Sequence, residues 1–280
     1  MKNMYDIIKV VGKGSLPVQC CQYLQQLGFK PVLLAEPAVG LPFAQVRAQR
    51  LGILVKPLSE ASLEDDIGGR ATLVLSINNT YVFHKDFVKK DHVEIINYHN
   101  ALLPFHKGVH AEAWTIFNQD AATGITWHYV DANIDSGEII FQEQMILDDE
   151  IKSFQLLRNQ SQLAFYSFKK IIPAILSRSV ATQKQTKIPI NLVHFKCDRP
   201  NNGILQLHWP PHKIWAFLRA MDYGLLKTLG VPRIEYEERS FTWEKYIRSD
   251  QRYEKCFIRD RNMYLPCGII LLGVTQIASM

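Results

Sequence analysis

The first half of the chain alternates short apolar, β-branched runs with amphipathic stretches of helical period. No other feature restricts the fold as much. "YDIIKVVG" at 5–12 reads as a strand, and "PVQCCQYLQQLG" then spaces Val18, Cys21, Leu24 and Leu27 along one helical face before Gly28. "PVLLAEP" reads as strand, "LPFAQVRAQRLG" as helix, and "ATLVLSINN" and "HVEIINYH" as further strands. This rhythm predicts an α/β fold with a doubly wound, mostly parallel sheet. "GITWHYV" and "EIIFQEQMIL" predict later strands. "DDEIKSFQLLRNQSQLAFYSFKKIIPAIL" predicts a long helix with Asp148 or Asp149 near its N-terminus.

From about residue 179 the texture changes. "SRSVATQKQTKIP" is polar and without period, which reads as a linker. Beyond it, "GILQLHW" reads as strand, and Pro210-Pro211 opens a helix with Ile214, Phe217, Leu218 and Met221 on one face. "RIEYEE", "SFTWEKYI", "KCFIRD" and "GIILLGV" are strand-like. The expected organisation is a catalytic domain over 1–180, a basic linker over 181–195 and a small β-rich domain over 196–280.

Charge follows this division. Residues 1–150 hold 12 Lys/Arg against 18 Asp/Glu, whereas 151–195 hold 7 against none. The basic run reads either as a solvated face or as a docking stripe for an acidic partner. No apolar run reaches the roughly 18 residues of a membrane span. The opening residues read as a first strand and not as a signal peptide. Five scattered cysteines, with no CxxC and no histidine pairing, predict a reducing, cytoplasmic setting and no structural metal.

"GKGS" at 12–15 lacks the glycine a dinucleotide fingerprint needs at 17, where Pro17 stands. It suits an anion at a helix N-terminus, with Lys13 and Ser15 as candidate substrate contacts. The richer segment is "IINYHNALLPFHKGVHAEAW" at 95–114. An apolar run delivers Asn97 and His99 two residues apart, on one side of an extended chain and at the carboxyl end of a predicted strand. An amide and an imidazole converging on one oxygen make an oxyanion site. The carboxylate of Asp135 is expected to raise the imidazole's pKa and keep a protonated donor available. No GxSxG and no nearby cysteine offers a covalent nucleophile. Direct attack of an amine on a bound acyl donor is the economical chemistry.

"NYHNALLPFHKG" followed by "GITWHYVDANIDSGEII" resembles the formyltransferases that use 10-formyltetrahydrofolate. Their pattern is Asn-x-His-x-x-Leu-Leu-Pro, then His-x-Val, then Asp-x-Gly. Asn97, His99, Leu102, Leu103, Pro104, His128, Val130, Asp135 and Gly137 fit it. The resemblance covers about residues 5–180, with a weaker one over "DRPNNGILQLHWPPHKIWAFLRAMDY". It implies that Asn97 and His99 polarise the formyl oxygen and that Asp135 supports His99 and helps remove the amine proton. It also implies a pteridine held along Asn79, Tyr81 and Phe83, with the loop from Asp131 to Ile134 closing over it. Tyr81 and Phe83 read equally as core aromatics. His110, a further candidate substrate contact, and His128 read as structural histidines.

Asn100 stands where many members carry proline, and the region after the second strand holds only Arg47 and Arg50 where tRNA enzymes are lysine-rich. A tRNA acceptor is therefore disfavoured. The early "VGKGSLPVQCCQYL" and "NYHNALLP" most resemble formylation domains linked to peptide synthetases. The expected acceptor is an aminoacyl group on an acidic carrier protein. The alternatives are an amino sugar on a nucleotide and a hydrolase that uses water on the same donor.

Overall fold

In a computed structural model that describes residues 4–36, 43–188 and 193–278, the alternation of the first half builds a seven-stranded sheet. Its elements begin with β1 (Ile7–Gly12), α1 (Ser15–Gln26), β2 (Val32–Ala35), α2 (Phe43–Arg50), β3 (Leu54–Pro57) and α3 (Glu60–Glu64). They continue with β4 (Thr72–Ile77), α4 (Lys85–Val88), β5 (Val93–His99) and the short β6 (Lys107–Gly108). After α5 (Ala111–Asn118) come β7 (Ala122–Tyr129), β8 (Ile139–Ile146), α6 (Ser153–Leu176) and β9 (Val193–His194). The sheet order is β3-β2-β1-β4-β5-β7-β8. Pairing is parallel from β3 through β5, and β7 runs antiparallel to β5.

Alternation along each strand gives the sheet two apolar faces, as a sheet covered on both sides requires. Val10, Leu73, Leu75, Ile96, Tyr98 and Trp127 join one buried cluster with α1 and α6 residues such as Leu24 and Phe168. Val11, Val74, Val93 and Ile95 join a second cluster with Leu63 and Phe87. Lys9 is 3% exposed on that second face. Its ammonium donates to the carbonyls of Ser62, Leu63 and Asp65 at 2.9, 2.8 and 2.5 Å and so closes the end of α3.

The chain divides into two compact units. The first comprises Met1–Val109, Thr123–Met145 and Arg158–His194; the second comprises His110–Ala122, Ile146–Leu157 and Phe195–Met280. The second unit contains α5 together with β10 (Ile204–Leu205), α7 (Pro211–Ala220), β11 (Arg233–Tyr236), β12 (Arg239–Thr242) and β13 (Lys245–Arg248). It ends with β14 (Phe257–Arg259), β15 (Asn262–Tyr264), β16 (Ile269–Leu272) and β17 (Thr275–Ile277). Two four-stranded sheets, β10-β11-β12-β17 and β13-β16-β15-β14, share a core with Phe217, Leu218 and Ala113.

Several expectations change. "SFTWEKYI" is two strands in different sheets, because the chain leaves β12 at Thr242 and enters β13 at Lys245. "GILQLHW" keeps only two strand residues before turning. The long helix begins at Ser153, beyond the aspartates expected to start it. The stretch expected as a linker lies in the first unit as far as His194, with Gln183 bridged to Ile139; residues 189–192 of it fall outside the described residues.

Gly12 ends β1 with φ 152, and a Cβ there would lie 1.8 Å from the Ile77 carbonyl oxygen on β4. Gly14 has φ 82, and a Cβ there would meet nothing within 4 Å beyond its own chain neighbours. Gly12→Ala is therefore expected to destabilise the fold by about 3 kcal/mol through overpacking. Gly14→Ala is expected to cost about 1 kcal/mol through backbone strain alone. Urea unfolding midpoints of the two variants check this order, and equal costs would contradict it.

Candidate active site

Strand register assembles the site. Ser76 on β4 is paired with Asn97 on β5, and Asn97 is paired with His128 on β7. The neighbours Val74, Val93 and Ile95 assign this side of β4 and β5 to the second apolar face. On this side Ser76, Asn97 and His99 stand at the carboxyl ends of β4 and β5. His99 follows two residues beyond Asn97 on the same side, at 4% exposure.

The hydrogen bonds fix each group's orientation. Ser76 Oγ donates to Asn97 Oδ1 at 2.7 Å, which turns the Asn97 amide nitrogen toward His128 and Asp135. His128 Nδ1–H donates to the Tyr129 carbonyl at 2.8 Å, leaving Nε2 to accept from Asn97 Nδ2 at 3.1 Å. The second proton of Asn97 Nδ2 reaches Asp135 Oδ1 at 3.4 Å. His99 Nε2–H donates to the His106 carbonyl at 2.8 Å, and its Nδ1 faces Asp135 Oδ2 at 3.5 Å. The Gly108 N–H donates to the same Asp135 oxygen at 2.7 Å. Asp135 has the left-handed φ of 46. Two residues on, a Cβ at Gly137 would lie 1.8 Å from the Tyr129 carbonyl oxygen, so only glycine lets the loop return against β7. Among the described residues no group of His, Cys, Asp and Glu is arranged to hold a metal ion.

The other sequence-derived candidates lie in three places. Asn79 donates to Ser76 Oγ and to the Tyr81 carbonyl and accepts from the Tyr81 N–H, which closes a tight turn after β4. Tyr81 and Phe83 meet edge to face at 5.5 Å and pack, partly buried, against the second cluster. Asp131 caps its own loop through Asn133 N and Ser136 Oγ, and Ile134 is 39% exposed on it. Lys13 and Ser15 line a cavity of about 460 Å³ with Glu36, Phe43 and Arg47 at the start of α1. Lys13 Nζ lies 3.2 Å from Glu36, whose carboxylate also accepts from Thr80 N and Oγ1. His110 belongs to the second unit, at the N-terminus of α5 and edge-on to Tyr223. Sequence reasoning missed Ser76, Glu36 and Gln185. Gln185 Nε2 donates to the carbonyls of Asp135 and Gly137 at 2.9 and 2.8 Å. The only sequence signal for Ser76 was a hydroxyl interrupting an apolar strand.

Burial lowers the His99 imidazole below its ordinary value, and the facing Asp135 carboxylate, which acts the other way, does not reverse this. The expectation of a raised imidazole is thereby corrected: the cost of desolvating an imidazolium exceeds the attraction. Burial also works to raise the Asp135 carboxyl, but His99, His128 and the Gly108 N–H outweigh it and hold it well below the usual carboxylate range. Both groups bind fewer protons folded than unfolded, so acid destabilises the fold. The His99 contribution is complete above its unfolded value of about 6.5 and is lost as pH falls through the lower folded value. The Asp135 contribution is complete above about 3.9 and is lost below that. The urea midpoint is expected to fall as pH is lowered below about 6.5, and His99→Gln is expected to flatten the upper part of that fall. Parallel curves for the two proteins would contradict the assignment.

Residues 71–162, which hold β4, β5, β7 and the Asp135 loop, match the formyl transferase family. Over 151 residues the chain is 24% identical to GDP-perosamine N-formyltransferase of Brucella melitensis, covering 54% of this chain and 57% of that protein. Over 153 residues it is 26% identical to methionyl-tRNA formyltransferase of Fusobacterium nucleatum, covering 55% of this chain and 49% of that one. The chain thus spans about half the length of the curated relatives it matches. Among solved structures it resembles WlaRD, a sugar 3N-formyl transferase crystallised with dTDP and 5-N-formyl-THF, at TM-score 0.72, 18% identity and full coverage of both chains. It also resembles an N-formyltransferase from Helicobacter canadensis in complex with folinic acid and dTDP-3-aminofucose. That match has TM-score 0.72 and 20% identity, covering 95% of this chain and 98% of the other. The matched segment carries the whole amide–imidazole–carboxylate cluster except its flanking supports, so the likeness to the formyl transferase family falls on the site itself.

Proposed function

We propose that the protein moves the formyl group of 10-formyltetrahydrofolate onto the amine of a nucleotide-linked amino sugar. The observation that carries the transfer chemistry is the closed cluster at the end of β5, where an amide donor and a buried carboxylate lie 3.4 Å apart. The relatives crystallised with a formylated folate together with dTDP or a dTDP-linked amino sugar support this acceptor. It replaces the carrier-bound aminoacyl group expected from the sequence.

One proton of Asn97 Nδ2 is committed to His128; the other makes the longer contact to Asp135 and is the donor offered to the formyl oxygen. A neutral amine attacks the formyl carbon, and Asn97 stabilises the charge that develops on oxygen. Asp135 takes the proton of the attacking nitrogen. Collapse breaks the bond from carbon to N10, and a proton is returned to N10, leaving the N-formyl amine and tetrahydrofolate. His99, whose Nε2–H is held by the His106 carbonyl, acts through Asp135 and not on the formyl oxygen. In this reading the pteridine lies along the turn after β4. Asn79 already engages both backbone groups of Tyr81 there, so Val82 and Phe83 offer the backbone contacts. The loop from Asp131 to Ile134 closes over it. Lys13, Ser15 and Arg47, beside the N-terminus of α1, take the diphosphate of the acceptor.

The test is tetrahydrofolate release from formyl donor with a panel of amines. A nucleotide-linked amino sugar is expected to be formylated. Asp135→Asn is expected to lose about 10²-fold or more in turnover while folding normally. Lys13→Ala and Arg47→Ala are each expected to raise the acceptor KM roughly tenfold with little change in turnover. Release without any amine would mean a hydrolase. Transfer only to a carrier-bound aminoacyl group, weakened by charge reversal at Lys184 and Lys187, would sink the sugar acceptor.

A further inference from the structure

The stretch that follows α6 runs beside the loop that carries Asp135. Thr182 Oγ1 donates to Glu138 Oε2 at 2.6 Å, and Gln183 and Ile139 exchange backbone hydrogen bonds of 2.8 and 2.7 Å. Gln185 Nε2 then spends both of its protons on the carbonyls of Asp135 and Gly137, either side of Ser136. Asp135 itself has φ 46, a backbone conformation that a residue with a side chain keeps only where its surroundings over-determine it. The groups that its carboxylate faces come from separate elements: Asn97 and His99 from β5, the Gly108 N–H from β6 and His128 from β7. A carboxylate meeting four such groups has little room to move before contacts of 2.7 to 3.5 Å are lost.

We propose that Gln185 is a positioning residue that holds Asp135 in its left-handed conformation and so aims the carboxylate. This rests on the formyl-transfer reading above, and it makes residues 182–185 part of the apparatus of that reaction. The same contacts explain why a glutamine, with two donors on one planar nitrogen, stands at this place in an otherwise exposed stretch.

Gln185→Met keeps the length of the side chain and removes both donors. Thr186→Ala, at an exposed neighbour, serves as control. In Gln185→Met turnover is expected to fall about tenfold or more, the scale of losing one or two hydrogen bonds, with the formyl-donor KM within about threefold of the parent. In the substrate-free parent, the carboxyl carbon of Asp135 followed by carbon-13 NMR is expected to stay ionised to the acid edge of the folded range. In Gln185→Met it is expected to take up its proton inside that range. A role confined to packing would lower the unfolding midpoint and leave turnover per folded molecule and the carboxyl titration unchanged, and that result would overturn the proposal. If the parent formylates no amine, the transfer reading fails; the carboxyl titration still decides the positioning role, an upward shift sustaining it and an unchanged one ending it.

Discussion

The pairing of Ser76, Asn97 and His128 across three adjacent strands is the constraint on which the rest of the site depends. Side chains on a sheet repeat every second residue, so a slip of one position would send all three to the opposite, apolar face. The register is held by the unbroken apolar alternation of β4 and β5, which buries one set of residues on each side. The polar trio thus inherits its placement from hydrophobic packing. Its own hydrogen bonds then choose rotamers: a serine hydroxyl orients an amide, and a backbone carbonyl chooses the nitrogen on which a histidine carries its proton.

Around that trio the electrostatics are those of a buried anion solvated by protein. Asp135 is 12% exposed at its side chain; a backbone N–H and an amide donate to its carboxylate, and two imidazoles face it. Fixed dipoles that need no reorganisation stabilise a charge better than mobile water does when a reaction moves that charge. The same desolvation that favours the neutral His99 keeps solvent from the cluster. One physical cause, burial at the end of β5, therefore sets both protonation and access.

How much of this was legible in the sequence varies from residue to residue. Asn97 and His99 could be read because a spacing of two at the end of an apolar run has one geometric meaning. Asp135 stood outside any periodic segment, and only its resemblance to a family pattern marked it. Ser76 was hidden because one serine within "TLVLSI" does not disturb strand patterning, and its partner lies 21 residues away. Gln185 was hidden in a polar, unperiodic stretch, where loop and linker look alike and only a tertiary partner tells them apart. Lys184 and Lys187 in the same stretch are exposed, as a solvated face requires. In "SFTWEKYI" a continuous β-rich pattern masked a change of sheet, because local propensity carries no information about which neighbour a strand will find.

The second unit is assembled from three separate lengths of chain, and this bears on how such a protein can be taken apart or recombined. Trp114 and Phe117 on α5 come from the middle of the sequence, and Phe117 packs on Trp209 and Phe217 of the last third. A gene fragment ending at residue 194 would carry α5 without these partners, and one beginning at 195 would lack the ring that completes their core. Neither half is a cassette. Exchange of C-terminal segments between related chains therefore has to carry residues 110–122 and 146–157 along, and inheritance of this unit is bound to inheritance of the strands that interrupt it.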